Sequence, residues 1–263
     1  MWIDTHCHLD AAEFDADRDA VVARAAAAGV GTIVIPAVDA AGFAAVARCA
    51  AQYGGAYALG IHPLASERAL PEHLQQLRAA AEQARADPRF VAVGEIGLDS
   101  MPGAPSASVQ ETLYREQLQI ARDLQLPVIV HVRRSADRLL YHMRRVGVCG
   151  GIVHAFNGSP VQAQGFLDLG LHLGFGGAST YDGSLRIRRF AATLPEHAIV
   201  LETDAPDIAP QWLRQGGSVV RNEPAELARI AAVIANLRKI RIEDLATAVR
   251  RNCLAALPRL AHI

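Results

Sequence analysis

The first residues able to bind a metal ion lie close together at the start of the sequence. Residues 2–10 have the pattern of a short strand, in which alternate side chains point to the same face. His6 and His8 are therefore predicted to face one way, with Asp4 beneath them. Two imidazoles in this arrangement can hold one divalent ion, although an isolated pair is equally typical of polar residues near a terminus.

Further histidine and carboxylate residues recur at one kind of position, the end of a short β-branched run. These positions would be the carboxyl ends of strands, where barrels of alternating strands and helices carry their active sites. Of the ten histidines, five stand there, and the other five fall on helices, at a strand start, in a loop or at the terminus. The set at strand ends consists of His6, His8, His62, Glu95, His131, His154 and Asp204.

Hydrophobic periodicity predicts the elements that must position these residues. The predicted strands are 2–10, 31–36, 57–62, 90–95, 128–131, 151–154, 171–176 and 198–204. The predicted helices are 18–28, 40–52, 71–86, 109–124, 136–145, 160–169, 184–194, 223–237 and 242–257. Strands that alternate with helices indicate right-handed βαβ units and a parallel sheet.

Eight such units in a chain of 263 residues predict an α/β fold of the (β/α)8 TIM-barrel type. The competing architecture is an open, doubly wound sheet, but no Gly-rich dinucleotide turn follows any predicted strand. We find no linker or low-complexity segment. Residues 1–263 are therefore predicted to form a single TIM-barrel domain of the metal-dependent hydrolase type.

Composition narrows the class of protein and of partner. The chain is 51% hydrophobic and 20% charged, with a formal net charge of −1, so no broad basic field draws it onto nucleic acid, and any such contact must be local. We see no signal peptide, and the longest apolar run, residues 25–38, is too short for a membrane span and contains Gly and Pro. Four scattered cysteines fit reduced thiols. A soluble, cytoplasmic protein is expected.

Without His62, the set at strand ends has the composition of a dinuclear metal site. Four imidazoles and two carboxylates suit divalent Zn, Mn, Ni or Fe and are tolerable for Mg. Six donors are too many for one open catalytic ion, but they suit two ions that share a bridge. Glu95, midway round the barrel, is the natural bridging carboxylate. We assign His6, His8, Glu95 and Asp204 to one ion and Glu95, His131 and His154 to the other, with the ions about 3.5–4 Å apart.

Such a site predicts hydrolysis of an anionic substrate. Two dications outweigh the two carboxylates and would lower the pKa of a bridging water towards about 7, which supplies hydroxide at neutral pH. Asp204 is placed to accept the proton during attack. His62 lies outside the ligand set and could donate a proton to the leaving oxygen or hold the substrate.

Several neighbours could support this chemistry. Glu202 lies on the same face as Asp204, and Asp4 lies under His6. Both could orient ligand imidazoles or belong to a buried polar layer of the barrel. Arg133, two residues beyond the fifth-strand histidine, is a candidate fork for a substrate phosphate. Weaker phosphate candidates are Arg134, Asn157, Arg221 and Asn222.

Motifs through the whole chain resemble those of the TatD-type metal-dependent deoxyribonucleases, a branch of the amidohydrolase-like barrel superfamily. They occupy residues 4–10, 60–63, 94–99, 127–131, 154–156 and 201–206. The resemblance implies a dinuclear site carried by the six donors named above, with His62 near the substrate. It also implies hydrolysis of DNA phosphodiesters, often from the 3′ end, so that single-stranded DNA or 3′ ends are the expected partner. Neither a membrane nor an obligate protein partner is indicated.

Two departures from the family pattern leave the substrate open. Many members continue with aromatic residues after the fourth strand, where this chain has a Pro/Gly loop at 100–105, and often have a hydroxyl residue at the position of Val132. Neither departure touches a metal donor. The alternative function is an ester or amide hydrolase, such as an aminoacyl-tRNA deacylase or a lactonase, on the same dinuclear site. A non-catalytic binding protein would predict a degraded donor set, whereas all six donors are present.

Overall fold

The barrel is built from eight parallel strands that follow one another in chain order. The structure, a computed structural model, describes residues 1–215 and 218–263. Each strand is hydrogen-bonded to the next, from the first to the eighth. The strands are β1 Trp2–Asp4, β2 Val30–Pro36, β3 Ala56–Leu59, β4 Phe90–Asp99, β5 Val128–Arg133, β6 Gly151–Val153, β7 Leu171–Phe175 and β8 Ile199–Leu201.

Helices follow the strands and cover the barrel. They are α1 Arg18–Ala27, α2 Phe43–Tyr53, α3 Pro71–Ala84, α4 Ala107–Asp123, α5 Ala136–Val146, α6 Pro160–Leu167, α7 Leu185–Thr193, α8 Leu227–Arg238 and α9 Ile242–Ala256. Short 3-10 segments include Pro63–Arg68 after β3 and Gly177–Thr180 after β7. The predicted (β/α)8 barrel is thus confirmed, with one helix beyond the eight. None of the helices in the described parts of the chain is long and apolar enough to cross a bilayer.

The seam between β1 and β8 closes just beyond the ends of these two strands. The amide and hydroxyl of Thr5 both donate to the carbonyl of Leu201, at 3.1 and 3.0 Å. At the next residue, His6, the direction reverses, and the amide of Asp204 donates to the carbonyl of His6 at 2.8 Å. Both sides of the seam are therefore tied together at the carboxyl end of the barrel, where the predicted site lies.

Most strand residues are apolar and buried, as expected for parallel strands covered by helices, although Gly31 and Thr32 of β2 and His172 of β7, among others, are not. All ten residues of β4 are buried, including Glu95 and Asp99 at its carboxyl half. Two buried glutamines of α4 fix the strand ends beside the site. Gln117 accepts from the amide of Ile61 and donates to its carbonyl, and Gln110 does the same for Asp99.

The structure corrects several predicted strand ends. β1, β3 and β8 end two to three residues before His6, His62 and Asp204, so these side chains stand on turns beyond the ladder. β4 and β5 instead continue past Glu95 and His131. A small antiparallel pair, β9 Arg214–Gln215 with β10 Ser218–Val219, was not predicted, and the helix predicted from residue 40 begins as a 3-10 turn.

Candidate metal centre

The carboxylate of Glu95 stands at the centre of the site, between two groups of histidines. Its Oε2 lies 3.0 Å from His6 Nε2 and 3.7 Å from His8 Nε2. Its Oε1 lies 3.0 Å from His131 Nδ1 and 3.5 Å from His62 Nε2. Each oxygen thus faces its own pair of imidazoles, which is the arrangement a bridging carboxylate requires.

Asp204 closes the site from the β8 side. Its Oδ1 lies 3.6 Å from His6 Nε2 and 3.7 Å from His8 Nε2, and its Oδ2 lies 3.6 Å from His154 Nε2. Asp204 is held at a left-handed φ of 57°, a conformation that aspartate tolerates better than most residues and that is enriched at functional sites.

The donor set fits divalent metal. His6 is completely buried, and neither of its ring nitrogens makes a hydrogen bond within the described chain, although Nε2 lies only 3.0 Å from a carboxylate oxygen. Buried imidazole nitrogens without a partner are costly unless an ion binds them. Imidazole nitrogens mixed with carboxylate oxygens are donors for Zn and similar ions.

Histidine and carboxylate donors form three compact groups. In each group one donor atom per residue lies within 4.8 Å of the others; the groups are His6/His8/Glu95, His62/Glu95/His131 and His6/His154/Glu202. His154 stacks on His6, with ring centroids 3.8 Å apart, and its ring centroid is 6.4 Å from that of His131. The predicted sharing of one ion by His131 and His154 therefore stays a prediction.

Asp99 is a further residue of the site. It belongs to the motif at residues 94–99, but the sequence alone did not indicate a role for it. Its Oδ2 lies 3.2 Å from His131 Nε2, and its Oδ1 accepts from the amide of Met101 at 2.8 Å. With Nε2 directed at Asp99, the Nδ1 atom of His131 faces Glu95. The even spacing of Asp99 and Glu95 along β4 was a signal that could have placed both on one face.

Glu202 lies close to an imidazole on the other side of the site. Its Oε1 lies 3.1 Å from His154 Nδ1 and accepts from the amide of Ala155 at 2.6 Å, which directs His154 Nε2 towards Asp204. Gly174 makes room for this carboxylate, since a Cβ atom there would lie 2.3 Å from Glu202 Oε2.

Asp4 contacts backbone rather than an imidazole. It accepts from the amide and hydroxyl of Thr203, at 2.9 and 2.5 Å, and from the amide of His6 at 3.3 Å. Of the two roles predicted for Asp4, the geometry is that of a buried polar layer, which fixes the turns that carry His6 and Asp204.

Burial and charge set the protonation of the site. Burial, reinforced by His154, lowers the pKa of His6 to about 4. Burial raises the pKa of Asp204 to about 7 against the opposing charge of His154. Burial also tends to raise the pKa of Glu95, but the charges of His6 and His62 outweigh this effect and hold the pKa well below the ordinary carboxyl range. Neutral His6 and ionised Glu95 are the forms that bind metal.

A cavity of about 390 Å³ opens from these donors to solvent. Arg133 lies on its wall, exposed, with no carboxylate within 4 Å in the described chain. The partly exposed apolar side chains of Val38 and Leu64 also line the cavity. A single cation beside an apolar wall suits a substrate with one phosphate group near the metal donors.

Two of the weaker phosphate candidates serve the structure instead. Arg221 donates to both carboxylate oxygens of Asp17 at 2.8 Å and stacks over the ring of Phe14. Asn222 donates to the carbonyls of Thr203 and Asp207 at 2.8 Å. Both residues therefore hold loops of the site in place. Arg134 is exposed after β5, and the Asn157 side chain accepts from Arg186.

Sequence and structure comparisons relate the chain to known proteins. Residues 3–257 match the family described as TatD related DNase. The chain is 42% identical over 253 residues to the uncharacterized metal-dependent hydrolase YjjV of Escherichia coli, covering 95% of each chain. It is 33% identical over 239 residues to the 3'-5' ssDNA/RNA exonuclease TatD of Klebsiella pneumoniae, covering 89% of each. The crystal structure of YjjV, a TatD homologue, superposes with a TM-score of 0.91 at 40% identity, covering 98% of each chain.

Proposed function

This chain belongs to the TatD related DNase family, and we propose that it is a divalent-metal-dependent deoxyribonuclease that removes nucleotides from 3′ ends of single-stranded DNA. The observation that carries the proposal is the placement of Glu95 between two histidine groups, one facing each oxygen. The family match supports hydrolysis, and the name of the Klebsiella relative supports the substrate class.

We propose that the site holds two ions, drawn from Zn, Mn, Mg or Ni. The donors are His6, His8, Glu95 and Asp204 for one and Glu95, His131 and His154 for the other. When bound, such ions lower the pKa of a coordinated water and neutralise phosphate charge. Glu95 supports both sets because its two oxygens face different imidazoles.

His62 acts in this proposal as a hydrogen-bond donor rather than a ligand. The amide of Leu64 donates to His62 Nδ1 at 3.2 Å, so the neutral ring carries its hydrogen on Nε2. Nε2 points into the site, 3.5 Å from Glu95 Oε1 and 3.2 Å from His131 Nδ1. A nitrogen that carries hydrogen cannot bind an ion, but it can hold a substrate oxygen or protonate the leaving group.

Asp204 is the proposed proton acceptor. Its Oδ1 lies 3.6 Å from His6 Nε2 and its Oδ2 lies 3.6 Å from His154 Nε2, so the carboxylate stands among the proposed donors, where it could accept the proton of a coordinated water. Arg133, on the cavity wall, is the proposed contact for the phosphate group, because its guanidinium is exposed and unpaired in the described chain.

The test is cleavage of 5′-labelled single-stranded DNA by the metal-reconstituted protein, with Mg and Mn supplied separately. We expect stepwise shortening from the 3′ end, its loss in Asp204→Asn and Glu95→Gln, and full activity in the surface control Asp168→Asn. Circular dichroism should show all three variants folded. Intact DNA after incubation with wild-type protein that holds two ions would refute the nuclease proposal.

A second candidate is hydrolysis of a carboxylic ester or amide, such as an aminoacyl-tRNA or a lactone. The apolar wall formed by Val38 and Leu64 favours it, since an acyl group would pack there. Turnover of aminoacyl-tRNAs, lactones or esters with no turnover of DNA would select this function. No turnover of that panel above buffer would remove it.

A further inference from the structure

Two further concavities, together called the groove, lie beyond the metal cavity. Ile208 lines both the metal cavity and a second concavity of about 900 Å³. Asp182 and Gln211 line both this second concavity and a third of about 710 Å³ that reaches α8. Each concavity thus shares lining residues with the next, in an order that starts at the cavity of the proposed catalytic donors.

Two aromatic side chains line this groove, and each is held by a hydrogen bond. Tyr181 donates to the carbonyl of Ala209 at 2.7 Å, and the guanidinium of Arg214 lies 5.2 Å from the centre of its ring. Further out, Trp212 Nε1 donates to Glu226 at 2.6 Å. Both rings are half-buried, so they are fixed in place while part of their surface stays accessible.

The charge of the groove differs in sign from that of the whole chain. Among its described lining residues, Arg188 and Arg214 are the cations and Asp182 is the acid. Asp182 is paired with Arg188 at 3.5 Å, which leaves Arg214 as the net positive charge. The whole chain carries −1. A fixed aromatic ring beside an arginine is the pairing that binds a base and its phosphate in single-stranded nucleic acid.

We propose that this groove binds the single strand that extends from the terminal nucleotide in the metal cavity. This inference rests on the proposed nuclease function. Bases stack on Tyr181 and Trp212, and Arg214 contacts the backbone phosphate between them. Because the groove begins at Ile208, on the edge of the metal cavity, only a substrate of several nucleotides reaches it. The groove therefore makes the enzyme discriminate by length, while the cavity alone suffices for a dinucleotide.

The test compares a dinucleotide with a ten-nucleotide oligothymidylate in Tyr181→Leu and Arg214→Gln. Stacking and phosphate contacts of this kind predict a fall of about tenfold or more in kcat/KM on the oligomer, with no change on the dinucleotide. The chain offers a matched control outside the groove, because Arg145 lies over the ring of Tyr141 at 5.4 Å. Tyr141→Leu and Arg145→Gln should cleave both substrates like wild type.

A binding measurement keeps the groove separate from catalysis. The sequence has two tryptophans, so Trp2→Phe leaves Trp212 as the only indole. Its fluorescence should be quenched by a phosphorothioate oligothymidylate of ten nucleotides but not by the dinucleotide, with less quenching in Arg214→Gln. Quenching without any DNA cleavage would reject the nuclease proposal and retain the groove. The groove proposal would be refuted if Tyr181→Leu and Arg214→Gln cleave the dinucleotide and the ten-nucleotide substrate like wild type and the oligothymidylate quenches no fluorescence.

Discussion

Replacing Asp99 by Asn should weaken one metal position and leave the other unchanged. Asp99 Oδ2 lies 3.2 Å from His131 Nε2, and Gln110 holds both backbone groups of Asp99, so the carboxylate cannot follow a ring that turns. Burial alone raises the pKa of Asp99, but the contact with His131 outweighs it and lowers the pKa. The carboxylate of Asp99 is therefore ionised, and as an acceptor it keeps a hydrogen on Nε2 of His131.

The size of the effect follows from what the substitution removes. A neutral amide accepts a weaker hydrogen bond than a carboxylate, and it also leaves His131 free to adopt the other tautomer. Loss of such an outer partner typically costs 10–100-fold in metal affinity, or about 1.4–2.8 kcal/mol. His6 and His8 make no contact with Asp99, so the ion that they are proposed to hold should bind as before.

Stepwise titration of the metal-free protein with Zn²⁺ against a chromophoric chelator measures both affinities. We expect two sites in wild type and, in Asp99→Asn, one unchanged and one weakened site, with ¹⁵N NMR of the imidazoles showing the altered tautomer of His131. Asp168→Asn, an exposed change on the opposite side of the barrel, should match wild type. Equal weakening of both sites, or an unchanged His131 spectrum, would contradict the positioning role.

Three further outcomes follow from the packing. Gly174→Ala should lower metal affinity about tenfold and destabilise the fold, because its Cβ atom would meet the carboxylate of Glu202, and calorimetric titration with Zn²⁺ measures this. Gln117→Leu should cost about 2–4 kcal/mol in urea unfolding, because both backbone groups of Ile61 lose their buried partner. Hydrogen bonds from arginine lower the pKa of Asp17 from 3.8 to about 2. The stability difference between wild type and Asp17→Asn should therefore be constant above pH 3.8 and vanish as the pH falls through about 2.

Each of these has a control in the same chain. Gly42→Ala introduces a Cβ atom at an ordinary 3.7 Å from Asp39, so it should leave metal binding unaltered. Gln164→Leu removes an exposed amide and should cost well under 1 kcal/mol. For Asp17, Arg221→Gln should remove the larger part of the same pH-dependent contribution, because Arg24 also donates to Asp17 at 3.1 Å. A stability difference between wild type and Asp17→Asn that persists at the lowest pH would show that charge is not its source.

The sequence predicted which residues meet, because a parallel barrel brings the carboxyl ends of all its strands to one face. It could not predict where each strand stops. After β1 the amide of Thr5 donates to Leu201 of β8, and the next bond in the same direction, from Cys7, goes to Val34 of β2. The chain thus alternates between two neighbours as the seam closes, and a local pattern carries no information about a partner almost two hundred residues away.

The arginines also show what a local sequence pattern cannot predict. The sequence favoured Arg133 over Arg221 as a phosphate contact because Arg133 lies two residues beyond His131, but it gave no information on the carboxylates that each arginine meets. Arg221 is tied to Asp17, 204 residues away in sequence, whereas Arg133 has no carboxylate within 4 Å in the described chain. Whether an arginine is free to hold a substrate depends on the fold, because its partner is chosen by proximity in space.

The orientation of the histidines explains how one residue type fills different roles in one cavity. Asp99 faces Nε2 of His131, Glu202 lies beside Nδ1 of His154, and the amide of Leu64 donates to Nδ1 of His62. An acceptor beside one ring nitrogen keeps a hydrogen there and leaves the other nitrogen to bind metal, whereas a donor does the reverse. In the proposed metal-bound site, His131 and His154 would therefore present lone pairs to the centre and His62 a hydrogen. The partner outside the centre, which no spacing of histidines reveals, would then decide which imidazole binds an ion and which one contacts the substrate.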